Sequence, residues 1–281
     1  MALRSPIYLD TDTLLAQAEY HDIDDVPRQA DIVEKTVRKR SGGGKLGTSG
    51  IGLEGSLGTD VEYQSTYALN PKEKATASKV IDSLIRTGTV KINPGPDTVL
   101  SKDDLVEIEG HTRITAASLA GKMFFIFRRL LETAEGDLES ILDFDVHDSR
   151  VVEQLKQVYL RNELLPIPVL LELTGSPLPL KVYINVRPDH FIDEASGNRV
   201  ERELRVLGSV SRLIPESSEG YLSTEEWLLH DWEYMIRRKL MPEVDGLVKT
   251  LVDQLDLNLP TEDVHAFISG PAIVVDAIAL Y

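Results

Sequence analysis

Residues 41–67, SGGGKLGTSGIGLEGSLGTDVEYQSTY, hold eight of the nineteen glycines in this 281-residue chain, and from Ile51 onward they alternate. Ile51, Leu53, Gly55, Leu57, Thr59, Val61 and Tyr63 share one parity, whereas Gly52, Glu54, Ser56, Gly58, Asp60, Glu62 and Gln64 share the other. Period two is the signature of an extended ribbon with one apolar and one polar face. Glycine inside a strand brings no side chain to the packing, so such a ribbon needs a further surface to lie against.

The rest of the chain supplies both sheet and helix. A short strand is expected at residues 7–9, with Thr11 or Thr13 capping a turn of helix behind it. Asn70, Pro71 and Glu73 combine an N-cap residue, a proline at the first helical position and a capping-box acid. The helix they open carries Ala77, Val80, Ile81, Leu84 and Ile85 on one face and stops at Gly88. Strands follow at residues 90–92 and 105–109. A helix from about Thr115 has an apolar face broad enough for a central buried position. Beyond a helix starting at Ser149, Pro166 and Pro168 turn the chain to strands, PVLLEL and LPLKVYINV, joined as a hairpin by TGSP. Residues 203–214, ELRVLGSVSRLI, are expected beside that hairpin. Ser223 and Glu226 read as a second capping box, opening one helix that carries Trp227, Trp232, Met235, Ile236 and Leu240. Pro242 interrupts it and Val244, Leu247, Val248, Leu251 and Leu255 resume helical spacing. Residues 272–281 form a closing apolar strand. The class is α+β: antiparallel or mixed sheets with packed helices and a Gly-rich β-ribbon. A faint boundary divides an N-terminal region, 1–148, containing ribbon 41–67, from a C-terminal region, 149–281, and a single domain stays open as the alternative.

Composition narrows the chemistry. With no cysteine, there is no disulfide framework, thiolate metal site or cysteine nucleophile. No apolar run reaches the roughly 18 residues of a membrane span and the opening residues lack the core of a secretion signal, which points to the cytoplasm. A net charge of −16 repels nucleic acid at long range. The local exception is Lys35, Arg38, Lys39, Arg40 and Lys45. This cluster reads either as the cationic end of a helix or as a contact for an anion or a membrane surface.

No constellation of reactive groups stands out. GGGKLGTSG lacks the hydroxyl after its lysine that a phosphate loop requires, since Leu46 follows Lys45. The six histidines are dispersed and no G-x-S-x-G elbow occurs. IYLDTDTLL resembles the nucleophile loop of haloacid-dehalogenase-type phosphatases. That resemblance implies Asp10 as nucleophile and Asp12 as acid/base around Mg²⁺. The preceding strand is very short and a glycine ribbon follows, so turn and cap roles are the competing reading. The ribbon also has the alternation of a membrane-inserting hairpin, against which stand Glu54, Asp60 and Glu62 on its polar face.

Across nearly its whole length, through PIYLD, DLVEIEG, RVLGSVSRLIP and GPAIVVDAIALY, the chain is similar to a family of uncharacterised bacterial and archaeal proteins. The resemblance implies a cytoplasmic module in a stress or phage-defence setting, and no catalytic site. The expectation is therefore a non-enzymatic interaction or regulatory protein. It would meet a protein partner or its own copies through Lys35, Arg38, Lys39, Arg40, Lys45, Ile51, Leu53 and Leu57. Neither cofactor nor metal is expected, and nucleic acid is not an expected partner. The two alternatives are the Asp10/Asp12 phosphohydrolase and the membrane-inserting hairpin effector.

Overall fold

Five strands carry apolar residues at every second position and close on one another. They are β3 (Leu105–Ile114), β4 (Val169–Thr174), β5 (Lys181–Val186), β6 (Glu203–Ile214) and β9 (Ala272–Leu280) in a computed structural model. The structure describes residues 4–23, 71–133, 156–157, 159–161, 164–192, 197–216, 221–256 and 266–281. Strand β3 pairs antiparallel with β4 through its second half and with β6 through its first. Strand β4 pairs antiparallel with β5, β5 runs parallel to β9, and β9 returns antiparallel to β6, which completes a mixed barrel. Counted within the barrel, the order is first, second, third, fifth, fourth, first, with the third and fifth strands parallel. That is the connectivity of the OB class of Greek-key barrels. Short strands β1 (Tyr8–Leu9) and β2 (Val90–Ile92) extend the sheet on β9 and β3. Strands β7 (Tyr221–Ser223) and β8 (Phe267–Ser269) form a separate antiparallel ribbon.

The inward set fills the barrel: Val106 and Ile108, Leu171 and Leu173, Val182 and Ile184, Val206 and Val210, Ile273 and Val275 pack as one cluster. Closure needs β3 to bend from β6 toward β4, and Gly110 sits at the turn-over. A Cβ there would stand 2.4 Å from the Thr174 carbonyl oxygen. Strand β9 reads AIVVDAIAL, a nearly continuous apolar run, because helices and strands cover its outer face as well.

Helices pack outside the barrel. Helix α2 (Pro71–Arg86) buries Ala77, Val80, Ile81 and Leu84 with Leu14 and Ala18 of α1 (Thr11–Tyr20), over Leu105, Leu207 and Ile278. Helix α3 (Ala116–Thr133) is the broad apolar helix expected. Its start is tied to β4, where the Thr115 hydroxyl donates to the Leu170 carbonyl at 2.8 Å and Leu170 N–H donates to Ser118 Oγ at 2.7 Å. After the short α4 (Gly197–Val200) come α5 (Glu225–Leu228), α6 (Tyr234–Leu240) and α7 (Val244–Leu255), of which α5, α6 and α7 pack with α3 in a second core.

Several local expectations change. Strand β6 lies between β3 and β9 and does not pair with the β4–β5 hairpin. Alternation assigns a strand its two faces but not its neighbours, which barrel closure chooses. The N-cap of α1 is Asp10, with Thr11 already helical. Residues 225–240 form two helices, because Asp231 takes a left-handed φ of 61° between them. The break lets Trp227 face the barrel and Trp232 face α3, directions that one continuous helix does not offer together. The ribbon 41–67, the basic cluster before it and the start of the helix from Ser149 lie outside the described residues.

The approach to β3 is clipped by an ion pair. Lys91 Nζ reaches Asp104 Oδ2 at 2.6 Å and the Val99 carbonyl at 2.9 Å, and Ser101 N–H donates to the same carboxylate oxygen. Burial pushes the Asp104 carboxyl up, but the Lys91 ammonium and the Ser101 N–H outweigh it and hold it below its ordinary value. A depressed carboxylate stabilises the fold above its unfolded pKa of about 3.9, and the contribution is lost as pH falls through the folded value. Asp104→Asn is therefore expected to cost about 1 kcal/mol in urea denaturation at neutral pH, with the gap closing in acid. A gap that persists undiminished at low pH would assign the effect to something other than this charge.

Candidate functional site: a polar cleft on the barrel wall

Two polar residues interrupt otherwise apolar strands at matching positions. Asn185 of β5 and Asp276 of β9 are cross-strand partners, and Ser209 of β6 pairs with Asp276 from the other side. All three alternate with inward residues, so they share the outer face of the barrel. Next to them β6 is irregular: Val210 pairs with Val275 and Arg212 with Val274, which leaves Ser211 as an extra residue. Bulges of this kind re-aim side chains. The Ser211 hydroxyl lies 3.2 Å from both the Val274 carbonyl and Asp276 Oδ1, where it can donate to either.

Trp227 orients the group. Its indole N–H, which can only donate, goes to Asn185 Oδ1 at 2.9 Å. The amide is thereby fixed with Nδ2 donating to Asp276 Oδ1 at 3.0 Å. Asp276 Oδ2 takes no hydrogen bond from the described residues, so the carboxylate keeps one oxygen for an incoming donor. Asn185 and Trp227 are 9% and 3% exposed, and Asp276 is half-buried.

These residues floor a cleft of about 340 Å³, walled by Leu222, Ser223 and Glu226 and rimmed by Lys102, Asp103, Arg187 and Arg212. Three separate segments bring the cations. Lys102 and Asp103 sit on a loop laced to β6, with Asp103 N–H donating to the Val210 carbonyl at 2.8 Å and Val210 N–H donating to the Asp104 carbonyl at 2.9 Å. Arg187 follows β5, where its N–H donates to the hydroxyl of Tyr8, a phenol that burial pushes well above its ordinary pKa. Arg212 leaves the bulge. Among the described residues, no carboxylate stands within ion-pair distance of Lys102, Arg187 or Arg212.

Asp10 and Asp12 lie away from this cleft. Asp10 caps α1: Oδ1 accepts from Thr13 N–H at 3.0 Å and Oδ2 from the Thr13 hydroxyl at 2.8 Å, with His190 Nε2 at 3.8 Å. Asp12 is exposed on the first turn. Among the described residues no three His, Asp or Glu side chains gather as metal ligands, and no helix is long and apolar enough to cross a membrane. Lys35, Arg38, Lys39, Arg40, Lys45, Ile51, Leu53 and Leu57 all fall outside the described residues. Sequence reasoning passed over Asn185, Asp276 and Trp227, although a lone polar residue inside KVYINV and inside AIVVDAIAL was a signal available to it.

Trp227→Phe keeps the ring packed but removes the N–H that fixes Asn185. It is expected to cost about 1–2 kcal/mol, because Asn185 Oδ1 is left buried and unpaired. A denaturation midpoint equal to that of the parent chain would contradict this.

The strand order and the cleft define an α+β protein built on an OB-type barrel with a polar outer pocket. The chain belongs to the DUF6414 family, described as a domain of unknown function, whose model matches residues 3–281. No curated protein and no solved structure matches it.

Proposed function

We propose that this is a non-enzymatic regulatory protein that binds a small anionic ligand in the cleft between β5, β6 and β9 and meets a protein partner or a second copy through an adjoining surface. The observation that carries the reading is the convergence of Lys102, Arg187 and Arg212, unpaired among the described residues, on one concave site of a strongly acidic chain. Asp103, Glu226 and Asp276 belong to the same lining and balance the three cations in number, but none of them stands at ion-pair distance from Lys102, Arg187 or Arg212, so an anion can still be met by those three side chains.

The partner surface is supported by the ribbon that walls the cleft. Tyr221 and Phe267, on β7 and β8, are 61% and 52% exposed and meet edge to face at 6.3 Å between centroids. Exposed aromatic pairs are enriched where proteins touch. Leu222 and Ser223 of the same strand line the cleft, so ligand occupancy and partner contact share one short ribbon. The partner expected from Lys35 to Leu57 is retained as a second contact region of the same kind. On the usual OB ligand face, the second and third barrel strands, Leu170 and Tyr183 are buried with Trp227, which directs binding to the cleft beside it.

Thermal unfolding in millimolar inorganic pyrophosphate tests the anion site. The melting temperature is expected to rise for the parent chain and to stay flat for Arg187→Ala/Arg212→Ala, because only the folded form binds. An equal response from both proteins, or none from either, removes the reading.

A further inference from the structure

Resting on the anion-site reading, we infer that the ligand of the cleft is a sugar phosphate, either free or as the ribose phosphate of a mononucleotide. Three properties of the lining select this chemistry. The rim brings Lys102, Arg187 and Arg212 from three segments, with Asp103 on the same rim and Glu226 on the wall, and those three cations suit a compact dianion such as a phosphate monoester held on their side of the cleft. The floor offers the opposite: Asp276 Oδ2 is an acceptor with no donor among the described residues, while its other oxygen is held by Asn185 and set beside the Ser211 hydroxyl. Such an oxygen calls for a hydroxyl or amino hydrogen, and it disfavours a second anionic group at that depth. A ligand satisfying both ends therefore carries its phosphate outward and a hydrogen-bond donor inward.

The remaining surface decides between a sugar and a base as the inward part. Trp227 is the only aromatic in the described lining, and at 3% exposure it has no open face on which a base can stack. The other polar groups are the hydroxyls of Ser209, Ser211 and Ser223, which can donate or accept as a polyol requires, and the Glu226 carboxylate, which can accept from a further hydroxyl. Leu222 and Val274 are the apolar exceptions. A volume of about 340 Å³ lies at the small end of the roughly 300–1,000 Å³ typical of ligand sites, which fits a pentose phosphate and leaves any base outside.

Isothermal titration with inorganic phosphate, ribose, ribose 5-phosphate and AMP tests the assignment. Ribose 5-phosphate is expected to bind at least about tenfold more tightly than phosphate, with ribose alone undetected. A tenfold gain is what one well-placed hydrogen bond to a charged group supplies. Asp276→Asn should erase that advantage while phosphate binds as well or better, since a negative charge has been removed; Arg187→Ala should weaken both phosphates. AMP tighter than ribose 5-phosphate identifies a nucleotide as the source, and AMP equal or weaker identifies the free sugar phosphate. Phosphate binding that ribose does not improve, or an advantage that survives Asp276→Asn, overturns the sugar assignment and leaves the anion site standing. No binding of any phosphate removes both. Circular dichroism of Asp276→Asn confirms that the variant compared is folded.

Discussion

Gly121→Val is expected to destabilise the protein by about 3 kcal/mol and to weaken ligand binding in whatever fraction stays folded. Gly121 lies on the face of α3 that α5 crosses, and a Cβ there would stand 2.1 Å from the Trp227 carbonyl oxygen and 3.1 Å from its carbon. Backbone cannot rotate aside as a side-chain tip can, so α3 and α5 must separate. Trp227 moves with α5, and with it the N–H that fixes Asn185 and the wall carrying Glu226. The change therefore reaches Asp276 without touching it. Urea denaturation reads the first effect, and anion titration at low denaturant reads the second. Gly246, inside α7, is the control: its added Cβ meets nothing within 4 Å. Gly246→Ala should stabilise by up to about 1 kcal/mol, the ordinary helix preference of alanine over glycine. If both substitutions behaved alike, close approach at Gly121 would not be the cause.

Ile184→Ala is the second large effect, with an expected loss of about 4 kcal/mol. Ile184 is fully buried, central in β5, and paired with Leu171 on one side and Val275 on the other. Truncation opens a cavity inside a closed ring of strands. A barrel cannot fold inward around the gap without breaking the hydrogen bonds that close it, so little of the lost contact is recovered. Its neighbour Asn185 points outward, so cleft affinity measured well below the unfolding transition should change by less than twofold. A change in affinity as large as that of Arg187→Ala would mean that the barrel interior and the cleft are mechanically coupled.

Much of the architecture was readable from local chemistry. Pro71 and Gly88 bracket α2 because a proline suits a first helical turn and a glycine tolerates the φ of 76° that ends it. The bounds of β2 and β6 are those expected, β9 ends one residue before the expected 281, β3 runs to Ile114 beyond the expected 109, and β4–β5 is the hairpin that TGSP predicts. Two helix starts were misplaced where a residue has two local uses. Asp10, Thr11 and Thr13 are all cap residues by type, and only the hydrogen bond from Asp10 N–H to the Ile278 carbonyl on β9 decides where the helix begins. Ser223 and Glu226 match a capping box, yet Thr224 occupies the N-cap because its N–H is already given to Ala266 beside β8.

By itself the sequence determined the helical or extended character of the longer segments, which of their faces are apolar, and that the chain is acidic, cysteine-free and α+β. Those properties depend on side chains a few residues apart, and periodicity records them. Only the tertiary structure decided that β6 closes the barrel between β3 and β9, and that Lys102, Arg187, Arg212 and Asp276 meet. These residues are up to 174 positions apart. Their meeting depends on a register between strands that no local pattern encodes, and on a bulge at Ser211 that becomes visible only when two strands are laid side by side.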